Sequence, residues 1–176
     1  MLFYKPIRNN LRPQEKLLQL RALTFNNLSC MYKENKQYED ALKALEVALE
    51  IEENLLDKNF EETYKSVAST YINKCVILSH LNLHEEAIET IKTSLDNLER
   101  YQKRFGTTIS QKDNGEIRHM TMLAYYNIGV EHEHLNQNDL AIKFYEMAFK
   151  IAKEIGNWGI KNQIITALKK LKAVKK

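Results

Sequence analysis

An all-α fold of stacked helix pairs is predicted by three observations. No proline follows Pro13 in a chain of 176 residues with only five glycines, so long helices meet no backbone obstacle. Three segments superpose when Ala41, Ala87 and Ala141 are placed in register. Charges of both signs, 26 basic and 23 acidic, are interspersed as on solvated helix faces.

The first segment reads Phe25-x2-Leu28-Ser29-x2-Tyr32, then Ala41-x3-Leu45-x2-Ala48. The second reads Tyr71-x2-Lys74-Cys75-x2-Leu78, then Ala87-x3-Ile91-x2-Ser94. The third reads Tyr125-x2-Ile128-Gly129-x2-His132, then Ala141-x3-Tyr145-x2-Ala148. The large residue and the Leu/Ile position share one helix face at i, i+3 spacing. Ser29, Cys75 and Gly129 stand where a second helix must cross closely, and the alanines of that second helix permit the same approach.

This pattern resembles the tetratricopeptide-repeat (TPR) family, whose signature is W-x2-L-G-x2-Y…A-x3-F…A…P, over residues 15–155. The resemblance implies an all-α, right-handed α-solenoid of three TPR-like helix hairpins, closed by a C-terminal capping helix. The chain departs from the family in two ways. Glu53, Glu99 and Lys153 replace the closing proline, and the registered alanines lie 46 and 54 residues apart, where the family repeat is about 34. Longer second helices are therefore expected. Lys74 at the Leu position would pack its stem and keep its ammonium in water.

The expected order begins with an extended arm over 1–11, then a first repeat over 12–57 and a second over 58–105. A polar loop over 106–115, with glycine at both ends, precedes a third repeat over 116–156. Pro13 suits a helix start and Gly156-Asn157 a helix stop. The capping helix with its basic tail occupies 157–176, with Ile160, Ile164, Ile165, Leu168 and Leu171 on one side and Trp158 as its expected anchor.

Partner binding is expected on the first helices, which line the groove in this family. The candidate lining is Leu23, Asn26, Asn27 and Cys30 in the first repeat, then Ile72, Asn73 and Val76 in the second. Leu123, Tyr126, Asn127 and Val130 complete it in the third. Asn27, Asn73 and Asn127 recur in one register. An amide offers both donor and acceptor, so such a series can grip a peptide backbone, at roughly 0.5–1.5 kcal/mol per bond. It resembles the asparagine ladder of kinesin-light-chain-like grooves. The basic clamp of chaperone-tail-binding TPR domains is not expected, because Leu123 and Asn127 stand at its positions.

A basic cluster, Lys169, Lys170, Lys172, Lys175 and Lys176, complements a helix end or contacts an acidic surface such as tubulin tails. His80 and His84 have zinc-ligand spacing but flank an expected turn, so no metal is assigned. No phosphate loop or nucleophile motif occurs, and no cofactor is implied. A mean hydropathy of −0.49 excludes a membrane span, and the balanced charge does not point to nucleic acid. The N-terminus lacks an apolar leader, which points to an intracellular, cytoplasmic protein. The expected function is non-catalytic protein binding, with the groove holding an extended apolar peptide or a partner helix. The alternative is a small structural subunit of a ciliary or cytoskeletal assembly, docked by its outer faces and basic C-terminus.

Overall fold

The computed structural model describes residues 12–174, which form seven helices. They are α1 (Pro13–Glu34), α2 (Tyr38–Lys58), α3 (Phe60–His80), α4 (His84–Phe105), α5 (Gln111–His134), α6 (Asn138–Ile155) and α7 (Trp158–Val174). The expected arm over 1–11 lies outside the described residues.

Each helix packs on the next in the chain, and α1 also touches α3 as α3 touches α5. Helices α1, α3 and α5 thus form one layer, the inner face of a solenoid, with α2, α4 and α6 behind them. Three hairpins, α1–α2, α3–α4 and α5–α6, make the stack, and α7 closes it by packing on α6.

The hairpin turns are copies of one another. Lys36, Asn82 and Asn136 all adopt left-handed backbone, at φ 60, 59 and 57°. The next amide reaches back five residues in each: Gln37 to the Tyr32 carbonyl, Leu83 to Leu78 and Gln137 to His132, at 2.8–2.9 Å. These bonds satisfy the free carbonyls at the end of the first helix of each pair. The middle hairpin, whose sequence matches the pattern least well, has the same turn as its neighbours.

Every registered alanine is buried, as are Ser29, Cys75 and Gly129 opposite. Lys74 packs its stem at the Leu position, and its ammonium lies 3.9 Å from the Glu46 carboxylate on α2.

Two expectations need correction. The loop is 106–110 rather than 106–115, because α5 starts at Gln111. Ser110 caps it, its Oγ accepting from the Asp113 amide at 3.1 Å. Lys65 of α3 then ties this first turn down through Asp113 and, at 2.6 Å, Glu116. Trp158 is not the anchor of α7: it is 67% exposed and stacks only under the Lys161 ammonium. Ile164 and Leu171 hold the helix against α6. Gly156 ends α6 with φ 72°.

Candidate peptide-binding face

Three cavities open along the odd-numbered helices. The first, about 490 Å³, lies between α1 and α3 and includes Leu20, Leu23 and Asn26. The second, about 560 Å³, lies between α3 and α5 and includes His119 and Met120. Ser66 and Ser69 of α3 line both, so the two adjoin across α3. The third, about 660 Å³, lies between α5 and α7, with Tyr126, Val130 and His134 on one side and Gln163 and Lys170 on the other.

The expected lining residues divide. Leu23 and Asn27 are exposed, and Cys30, Asn73, Val76 and Asn127 are half-buried. Ile72 is in the core with Ala124 and Ile128, because α5 lies over that face of α3, and Leu123 packs against the same cluster. Tyr126 and Val130 are half-buried against the α6–α7 core. The face therefore sits nearer the N-terminal halves of α1, α3 and α5 than expected. Gln19, Leu20, Ser66, Ser69 and Met120 belong to it and were not among the residues expected there. One signal was legible: Leu17, Leu20 and Leu23 exceed what the core face of α1 needs, and all three are exposed.

Beneath the first cavity runs a buried polar seam. Asn73 donates to the Asn26 side-chain oxygen at 2.7 Å, and Asn26 donates to the Thr70 hydroxyl at 2.6 Å. Asn73 is thus bound into the junction of the first two hairpins rather than standing as a free rung. The Thr70 and Ser66 hydroxyls neighbour the Glu52 carboxyl on α2 and favour its charged form. Glu52 is only 2% exposed, and its Oε2 has no hydrogen-bond partner. Burial pushes its carboxyl up to about 7, with the Glu53 charge adding and the two hydroxyls opposing.

The junction of the second and third hairpins carries a different pairing. His84 at the start of α4 bonds the buried Glu131 of α5 at 2.7 Å, and its ring stacks on His134. His80 stacks instead on Tyr38, so the two histidines of the zinc-like spacing face different neighbours. Burial raises the Cys75 thiol, which removes its nucleophilic form.

In the basic cluster, Lys170 bonds Glu133 at 2.8 Å and Lys172 bonds Glu146 at 3.0 Å. These two cations are engaged with the chain's own acids, while Lys169 is exposed. Lys175 and Lys176 lie outside the described residues. Among the described residues, no helix is long and apolar enough to cross a membrane.

Residues 21–61 and residues 123–155 each match a family model of the tetratricopeptide repeat. With the three identical turns and the all-α stack, these matches support the tetratricopeptide-repeat family, whose members typically act as non-catalytic scaffolds that bind other proteins. No match to the chain is found among curated proteins.

Proposed function

We propose that the inner face binds an extended segment of a partner protein, running across α1, α3 and α5. The observation that carries this reading is that the first two cavities adjoin across α3, with Ser66 and Ser69 lining both. Adjoining depressions across several helices suit an extended chain better than a compact ligand. Leu20, Leu23 and Met120 supply apolar contact, while the exposed Asn27 and the half-buried Asn127 would bond its backbone in the manner of a kinesin-light-chain-like groove. The segment buries side chains in the cavities and gains modest backbone bonds between them.

A photo-crosslinking residue at Ser69, compared with one at Glu89 on the outer surface of α4, tests this in cells that express the protein. The partner is expected to be trapped from Ser69. Trapping from Glu89 alone would reverse the reading.

A second reading has its own support. Leu17, Leu20 and Met31 are exposed apolar side chains on α1, the first helix of the stack. A permanent subunit of a larger assembly, cytoskeletal or ciliary, would cover them, and its isolated chain would self-associate.

A further inference from the structure

The three hairpins share one register, so each residue of the first cavity can be compared with its counterparts. Glu52 corresponds to Leu98 and Ala152, both buried and apolar. Asn26 corresponds to Ile72 and Tyr126. Ser66 corresponds to Leu20 and Met120, and Ser69 to Leu23 and Leu123. Four polar residues thus replace apolar ones, and all four line the same cavity.

Packing alone does not explain this departure. A carboxyl at a position where its counterparts are Leu and Ala gives up stability, and its buried Oε2 is left without a partner. The serines remove the bulk that Leu or Met would supply, which opens the space above Glu52. The result is a chamber of about 490 Å³ with a carboxyl at its base and hydroxyl and amide oxygens on its walls. Leu20 and Leu23 form the apolar part of its lining.

We propose that this chamber receives an arginine side chain of the bound segment, with the Glu52 carboxylate as its counter-ion. The inference rests on the groove reading above and specifies one residue of the partner. A guanidinium has five donors and no acceptor, which complements a carboxylate, two serine hydroxyls and a side-chain amide. Its aliphatic stem lies along Leu20 and Leu23. Lys16 on the rim carries the same charge as the guest and limits its affinity.

The test is a titration of the full ¹⁵N-labelled chain with acetyl-arginine amide and with acetyl-citrulline amide, its neutral isostere. Arginine amide is expected to shift the Asn26, Ser66 and Ser69 amide signals, and citrulline amide to do so at least about tenfold more weakly. Glu52→Gln preserves shape and should remove that preference, while Lys16→Gln should strengthen arginine binding. Ser69→Leu, which restores the residue type of its counterparts, should block both probes. Equal binding of the two probes, or an arginine affinity indifferent to Glu52→Gln, would overturn the proposal. A full chain carrying Lys5→Gln and Arg8→Gln that gains affinity would assign the chamber to the chain's own first residues and overturn a partner guest. A partner trapped from Ser69 whose affinity ignores Glu52→Gln would leave the groove standing and remove only the arginine.

Discussion

Gly129 lies directly under the ring of Tyr145: a Cβ built on the glycine would fall 2.7 Å from Tyr145 Cδ1 and 3.1 Å from its Cγ. The ring is buried, and its Cγ is too near the backbone to swing away. The same register holds Ser29 with Leu45 and Cys75 with Ile91. The smallest residue faces the largest partner, so each pair fills a comparable space in its own way. Gly129→Ala is expected to lower stability by about 1–3 kcal/mol, read by urea unfolding. Gly129→Ser combined with Tyr145→Leu, which recreates the first hairpin's pair, should recover most of that loss. Additive losses would show that the pair is not the unit of packing.

The three left-handed turns predict a gain. Asn82 and Asn136 are residues that tolerate this backbone, whereas Lys36 must adopt it without local side-chain help. Lys36→Asn or Lys36→Gly should raise stability by about 0.5–1 kcal/mol, seen as a higher thermal midpoint. A loss would mean that the lysine makes a compensating contact.

Glu52 sets a pH dependence. Its folded carboxyl stands at about 7, against an ordinary value of 4.5. Between these values the unfolded chain has released the proton and the folded chain still holds it. Stability contributed at this site is therefore full below about 4.5, falls as pH rises to about 7 and is level above it, by about 3 kcal/mol in all. Glu52→Gln should flatten that slope and be more stable than the parent at pH 8, as chemical unfolding across the range would record. An unchanged slope would place the titration elsewhere.

The anchoring of α7 is tested by two truncations. Ile164→Ala should destabilise by about 2–5 kcal/mol, because the side chain is fully buried against α6. Trp158→Ala should stay within about 0.5 kcal/mol, because the ring is mostly in water. The reverse order would restore Trp158 as the anchor.

Helix order was legible because the hairpin turns punctuate it: Asn35-Lys36-Gln37 and its counterparts stand just before 3.6-residue apolar patterns that are strong on α2, α4 and α6. The start of α5 was hidden. Asn114 and Gly115 resemble loop residues, and the turn that holds them is braced by Lys65, 48 residues before Asp113. The local cap, Ser110 followed three residues later by Asp113, was the available signal. The register of asparagines was visible, but their environment was not. Which of them faces a groove depends on how closely α5 lies over α3. Likewise Trp158 has the composition of an anchor, and only the path of the chain after Gly156 turns it outward.

The polar seam has a consequence for assembly. Three hairpins with the same apolar register could stack in the wrong order or slip by a turn with little loss of hydrophobic contact. Asn26 meets Thr70 and Asn73 only at the first junction, and His84 meets Glu131 only at the second. Exchanging the junctions would give Asn26 Ala124 in place of Thr70, and Glu131 Tyr38 in place of His84, so both of these bonds would be lost. Each joint is keyed to a single neighbour, so a chain built from interchangeable parts has one order of assembly.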